Sequence, residues 1–253
     1  MIDFSGVYII WLRDVKRFWR DKSRIVGAVA QPTLFLFIIG TGLGQAFARG
    51  GKAYLGAEYI KFLYPGIIGM TILFASVFSA ISIIWDREFG FLKEVLVAPI
   101  SRSSVALGKA LGGSTVAMLQ GTIMLVYAPL VGISLTAAMI LKLWFLMFLI
   151  SFSLTSMGIV IAARMKSMEG FQVIMNFLLM PIFFLSGAMF PLKNLPSWLS
   201  YLVRVDPLAY GVDALRSVVI GVQQFPFALN VLVLTIFGLA MIFLAVFEFN
   251  RQE

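Results

Sequence analysis

The sequence predicts an all-α polytopic membrane protein with six transmembrane helices and both termini on the cytoplasmic side. Three observations predict it. The first is composition: of 253 residues, 60% are hydrophobic and 13% charged, where a soluble domain runs at roughly 45–50% apolar with glycine included and about 25% charged. Mean hydropathy is +0.97. A compact fold of this length cannot hide that much apolar surface from water, so part of it faces lipid. The second is the spacing of charge, which leaves the windows 25–48, 62–85, 110–141, 143–163, 170–192 and 217–247 free of it. Each is long enough to span, since a bilayer core of about 30 Å takes roughly 20 apolar residues of helix. The third is the asymmetry of lysine and arginine, which concentrate on the cytoplasmic side of membrane proteins. With the N-terminus inside, Arg13, Lys16, Arg17, Arg20, Lys22, Arg24, Arg87, Lys93, Arg102, Lys109, Arg164, Lys166 and Arg251 are cytoplasmic. Arg49, Lys52, Lys61, Lys142, Lys193, Arg204 and Arg216 then lie outside.

Residues 4–24 come first. Tyr8, Trp11, Leu12, Val15, Phe18 and Trp19 share one helical face, and Arg13, Lys16, Arg17 and Arg20 take the other side. Tryptophan beside a basic edge suits an interfacial helix in the headgroup plane. It is either a passive anchor or a lever that also meets a partner. The apolar face argues against nucleic acid. No cleavable leader is expected, because no short apolar region ends in a small-residue cleavage site.

The first two windows read as spans one and two, with Gly40, Gly42 and Gly44 offering close approach at the end of span one. Between spans two and three, residues 86–104 run Asp86-Arg87-Glu88-Phe89-Gly90-Phe91-Leu92-Lys93-Glu94-Val95-Leu96-Val97-Ala98-Pro99-Ile100-Ser101-Arg102. Phe89, Leu92 and Leu96 stand at helical spacing, Pro99 ends that helix, and Ser101 or Ser103 caps the next. A plain connection needs about 2–8 residues. The segment therefore reads as a short cytoplasmic helix, either a docking element or an ordered loop. Span three runs from about 105 to 130 and breaks at Pro129 and Gly132; span four begins near Met139. Lys109 and Lys142 sit near span ends, where long stems can snorkel.

Residues 191–221 form the outer segment between spans five and six, punctuated by Pro191, Pro196 and Pro207. A short helix is expected over Pro196 to Val203. A second starts at Asp206-Pro207, with aspartate as cap and proline in the first turn, carries Asp213 and Arg216 three residues apart, and stops at Gly221. Both are too short to span. They are either re-entrant elements covering an exit path or a hairpin resting on the outer leaflet. Span six begins near Pro226.

The chemistry that is missing narrows the function. The chain has no cysteine and no histidine. Thiolate and Ser-His nucleophiles, cysteine or histidine metal sites and histidine relays are therefore excluded. Gly108-Lys109-Ala110 is only a fragment of a phosphate-binding loop, in the wrong structural context. The apolar windows hold no carboxylate to carry a coupling ion.

Two motifs then point to a family. Trp85 through Arg102, followed by Leu107-Gly108-Lys109-Ala110-Leu111, resembles the first signature of type-2 ABC exporter permeases. Phe184-Leu185-Ser186-Gly187-Ala188-Met189-Phe190-Pro191-Leu192-Lys193-Asn194-Leu195-Pro196, then Asp206-Pro207-Leu208-Ala209-Tyr210-Gly211-Val212-Asp213-Ala214-Leu215-Arg216, resembles the second. The nearest subgroup is the permeases of daunorubicin-resistance and nodulation-factor exporters.

The resemblance implies a single permease domain over 1–253 that pairs with a second permease subunit, most simply a homodimer. It also implies a separate ABC nucleotide-binding subunit that carries ATP and Mg, so that this chain binds no cofactor and is no enzyme. The family's coupling helix maps onto 86–100, with Asp86, Arg87, Glu88, Phe89, Leu92 and Glu94 facing that subunit. Its interface helix maps onto 4–24 with Trp11, Arg13, Arg17 and Trp19. Its outer re-entrant helices map onto 191–221 with Pro191, Pro196, Asp206, Pro207, Asp213 and Arg216. The expected cargo is amphipathic or lipid-like, the expected location the plasma membrane of a prokaryote. A stand-alone channel or secondary carrier, and a non-transporting membrane scaffold, are the rival readings.

Overall fold

A computed structural model describes residues 3–49, 54–89, 101–165, 167–193 and 195–251. Among them every regular element is helical. Helix α1 (Phe4–Arg20) is capped by Asp3, whose carboxylate accepts from the Ser5 and Gly6 amides. Helices α2 (Lys22–Leu34) and α3 (Gly40–Arg49) are joined by a π-helical turn, Phe35–Ile39, just beyond Pro32. Helix α4 (Tyr54–Ser79) continues almost directly into α5 (Ile81–Glu88). Then come α6 (Arg102–Leu125), α7 (Ala137–Arg164), α8 (Met168–Leu185), α9 (Ser197–Val205), α10 (Pro207–Ile220) and α11 (Phe227–Arg251).

Local rules place most boundaries. Ser101 caps α6 by accepting from the Ser104 amide, and Thr136 caps α7. Pro129–Val131 form a 3-10 turn ended by Gly132 at φ 73°, so the helical run that starts at Arg102 ends by the proline and glycine. Asp206 caps α10 with Pro207 in its first turn, and Gly221 closes it at φ 70°. Only glycine tolerates that conformation freely.

Among the described residues, five helical stretches are long and apolar enough to cross a bilayer: Ile25–Gln45, Glu58–Glu88, Ala137–Arg164, Met168–Leu185 and Phe227–Arg251. The remaining expected span, α6, third in chain order, is 24 residues long but carries glycine, serine and Lys109 along its length. Its polarity has a packing reason. It lies at the centre of the bundle, buried along most of its length against α1, α4 and α7. Small residues let those helices approach: a Cβ on Gly121 would stand 2.8 Å from the Met147 sulfur, and one on Gly113 2.2 Å from the Ser79 hydroxyl.

The core is built by α4, α6, α7 and α10, with Leu63, Tyr64, Ile67, Ile68, Leu146 and Met147 fully enclosed. Other helices keep broad apolar faces outside. On α8, Phe177 is 83% exposed beside Val173, Met180 and Phe184, and α11 shows Leu232, Ile236, Leu239 and Phe243.

Helix α1 packs on the bundle. It runs alongside the first half of α6, with the Asp3 amide donating to Ser104 Oγ and the Trp11 indole to Thr115 Oγ1. Its apolar stripe is split: Ile10 and Phe18 are buried, while Phe4, Tyr8 and Trp19 remain exposed beside Lys16 and Arg20. Gly108 and Gly112 make the groove that admits it. A Cβ on Gly108 would sit 2.8 Å from Ile10 Cβ, and one on Gly112 3.0 Å from Asp14 Cβ.

Candidate functional site

Two polar regions stand out against this apolar frame, one at each end of the bundle. At one end, the inner end by the orientation the sequence predicts, α5 prolongs α4 and brings Asp86 beside α1 and α6. Asp86 is buried. Its Oδ2 lies 2.5 Å from an Arg13 nitrogen and 2.8 Å from Lys109 Nζ. Lys109 also reaches Asp14 Oδ1 at 3.2 Å and Ser82 Oγ at 2.9 Å. It does not snorkel: its side chain is 4% exposed. An ammonium away from water requires such partners.

Arg87 turns toward the end of α7, donating to the carbonyls of Met165 and, at 2.9 Å, Ala163. Those carbonyls stand at the C-terminal end of α7, where the helix dipole favours a cation. Arg17 stacks over the Trp85 ring at 4.5 Å. Glu88 and Phe89 are exposed, Phe89 at 83%. Of the expected partner-facing residues, Asp86 and Arg87 thus bond within the chain, and Glu88 and Phe89 face outward. Leu92, Glu94 and the rest of 90–100 lie outside the described residues. Of the interface-helix residues, Arg13 and Arg17 turn toward α5, Trp11 toward α6, and Trp19 is exposed.

At the opposite end, outer by the same expectation, α10 is buried on nearly all sides against α4, α7 and α11. Asp213 and Arg216 satisfy different partners. Asp213 accepts from the Gln224 amide at 2.7 Å, the Phe225 amide at 3.0 Å and Asn230 Nδ2 at 2.9 Å, pinning the α10–α11 connection. Arg216 donates to the Gly187 carbonyl at 2.8 Å and lies 3.9 Å over the Phe62 ring. Burial pulls its pKa down to about 10, which leaves it charged at neutral pH, and the nearby Asp213 opposes the shift. Gly187, at φ 70°, turns the chain after α8 so that Ala188 meets Gly66, where a Cβ would lie 2.4 Å from the Ala188 oxygen.

The Asp206 carboxylate serves only as the helix cap. Oδ1 accepts from the Leu208 amide at 2.9 Å, while Oδ2 is buried without a hydrogen-bond partner. Burial pushes its pKa up to about 8, against the pull of the Leu208 and Ala209 amides. Pro191 and Pro196 border the turn that leads into α9, a helix with Val203 buried and Trp198, Tyr201 and Val205 exposed. Gln224 reaches back to the Leu192 carbonyl at 3.1 Å and closes this cover on itself.

Two recesses open at the same end. One, of about 720 Å³, is lined by Leu125, Val126, Pro129, Ile133, Ile140 and Trp144. The other, about 550 Å³, is lined by Leu141, Lys142, Phe145, Val218 and Phe227. Both are predominantly apolar. Among the described residues no group of carboxylates could hold a metal ion.

Geometry alone does not name this molecule, and sequence comparison supplies the family. Residues 5–220 match the family described as ABC-2 type transporter. The chain belongs to the ABC-2 type transporter family. It is similar to the putative transport permease ycf38 of Cyanophora paradoxa, 31% identical over 80% of this chain and 71% of that protein. It is also similar to nodulation protein J of Rhizobium meliloti (strain 1021), 27% identical over 96% of this chain and 92% of that one. The inner membrane transport permease YadH of Escherichia coli (strain K12) is 25% identical over 94% and 90%. This chain is accordingly an ABC-2 membrane permease, a multi-pass transport subunit.

Sequence reasoning missed several residues on which the ABC-2 permease depends at these two ends. Asp14 and Lys109 bear the inner knot, and Gln224 and Asn230 complete the Asp213 hub. Asp14 did leave a signal: it is the one carboxylate within a basic helix, next to Arg13. Lys109 left another, as a lysine flanked by Gly108, Gly112 and Gly113, the pattern of a helix packed too closely for its cation to escape.

Proposed function

We propose that this permease is the membrane half of an ATP-driven exporter: two permease subunits working with two copies of a separate ATP-binding subunit. Six spans, with both termini inside a prokaryotic plasma membrane, give the topology; α6 is the third. The segment 86–100 docks in a groove of the ATP-binding subunit and carries its closing motion to α2–α5 and α8. The second permease subunit lies against the exposed apolar face of α8. The path between the two opens outward past α9 and α10, which act as a re-entrant cover.

One observation carries the docking assignment. Phe89 is 83% exposed at the tip of α5, while the two residues before Glu88 are bonded within the chain. A large apolar side chain held outward on a fixed stem suits insertion into a partner's pocket. The cargo is amphipathic or lipid-like: a hydrophobic drug, a lipid or a lipid-linked glycan. The apolar recesses at the outer end and the scarcity of charge along the spans support this class. Asp213 already accepts three hydrogen bonds, which weighs against its serving as a carrier's ion site.

The test is co-purification with the ATP-binding subunit, followed by ATPase measurements on Glu88→Lys and Leu92→Asp. Both variants should insert normally and lose the ATPase change that the permease imposes on its partner. Full coupling in both would remove the docking assignment. Transport driven by a proton or sodium gradient without an ATPase would establish a carrier instead.

A further inference from the structure

The inner knot joins three elements through a single ammonium. Lys109 comes from α6, Asp14 from α1, and Asp86 and Ser82 from α5. The lysine contacts all three partners within 3.2 Å. Arg13 closes the ring on Asp86 at 2.5 Å and lies 3.7 Å from Asp14. Two cations face two carboxylates, so the group is neutral as a whole. Asp14, Asp86 and Lys109 are each 12% exposed or less at the side chain. Removal of any one member strands an opposite charge away from water.

Such a network is weak evidence for stability, because apolar residues of similar volume would hold the helices together as well. What it adds is registry. An apolar contact lets α1 slide on α6 by small steps. A lysine gripped by carboxylates from two other helices does not allow it. The tie to α5 is reinforced by the Arg17–Trp85 stack, and the tie to α6 by the Trp11–Thr115 hydrogen bond. Asp86 stands two residues before Glu88 and three before the exposed Phe89.

We infer that Lys109 is a positioning residue for energy coupling: with Asp14 and Asp86 it locks α1, the end of α5 and α6 into one rigid joint. Displacement of the docking segment then moves the interface helix and the central helix together. The role in coupling rests on the ATP-driven reading above; the rigidity of the joint does not.

The two are tested separately. The chain has no native cysteine, so Lys16→Cys and Glu88→Cys, both at exposed positions, take spin labels in the permease alone, reconstituted in lipid nanodiscs. Wild-type background should give one narrow distance peak. Lys109→Met should lose it, and Lys109→Arg should restore it. The double variant Lys109→Met/Asp14→Asn keeps the knot neutral and protects folding, and it should also lose the peak. A narrow peak in the double variant overturns the joint.

In the second arm, unlabelled permeases are purified with the ATP-binding subunit. The double variant should still assemble, while the change in ATPase rate imposed by the permease is lost; Lys109→Arg should regain it. Unchanged ATPase coupling with a broadened distance overturns the coupling role. Failure of the wild-type permease to capture an ATP-binding subunit overturns the exporter reading, and the spin-label result stands without it.

Discussion

Asp213 and Asp206 are both buried carboxylates on the same short helix and behave oppositely. Asp213 is 3% exposed and receives three donors, which satisfy both of its oxygens away from water. Replacement by alanine leaves two backbone amides and the Asn230 amide without their acceptor. Charged hydrogen bonds and stranded donors each cost about 1–3 kcal/mol. Asp213→Ala should therefore lower stability by roughly 3 kcal/mol, read as a drop in the melting temperature of detergent-purified protein.

Asp206 has one acceptor atom used and one unpartnered, and burial raises its pKa to about 8. The unfolded chain releases that proton near pH 4, as an ordinary aspartate does. Between the two values the folded state binds more protons than the unfolded state, so stability falls as pH rises. The contribution is complete below about pH 4 and is lost by the time the pH passes about 8. Asp206→Asn keeps the helix cap, since asparagine serves there as well, and removes the titration. Melting temperatures between pH 5 and 9 should slope downward in the wild type and lie flatter in the variant. Parallel curves would assign the slope to other groups.

At the scale of elements, α1 and α10 are each decided by what they pack against. The groove on α6 exists because Gly108 and Gly112 lack side chains. Gly108→Val places methyls where Ile10 Cβ and the Val7 carbonyl oxygen already stand, and the backbone carbonyl cannot rotate away. Helix α1 should be pushed off its seat. A cysteine replacing Phe18, which is 2% exposed, should then react with maleimide in the Gly108→Val background and stay protected in the Gly108 background.

Much of the element structure was legible in the sequence. The break at Pro129 and Gly132, the Ser101 cap, the Asp206-Pro207 start and the Gly221 stop are local devices, and local sterics fix them. The split of α1's apolar stripe was not legible. Periodicity identifies a face, but Phe18 and Trp19 lie on the same one, and only the position of α6 decides that the first is buried and the second exposed.

At the scale of the whole molecule, the exposed faces of α8 and α11 and the placement of charge belong together. In the proposed topology the knot marks the inner side, and α9, α10 and the two recesses mark the outer one. The proposed topology yields a labelling pattern. Glu88→Cys should react with a membrane-impermeant maleimide only after cells are permeabilised. Gln223→Cys, exposed in the connection between α10 and α11, should react in intact cells. Labelling of both in intact cells would overturn the topology with the termini inside.

The sequence by itself determined the class of molecule: a helical membrane permease whose composition demands lipid, whose charge-free windows set the helix lengths, and whose two motifs carry the family. Hydropathy and helix signals are properties of consecutive residues, and consecutive residues can be read. The tertiary structure decided where the charges go. Lys109 is an interfacial lysine by position, and it becomes the centre of a buried knot because the fold brings to it Asp86 from the preceding helix and Asp14 from 95 residues away. Asp86 and Arg87 read as partner-facing, yet they find their bonds within the chain; Glu88 and Phe89 are left to face outward. Charge pairing depends on distances in space, and α6 reads as one more span until its neighbours fill the space around it.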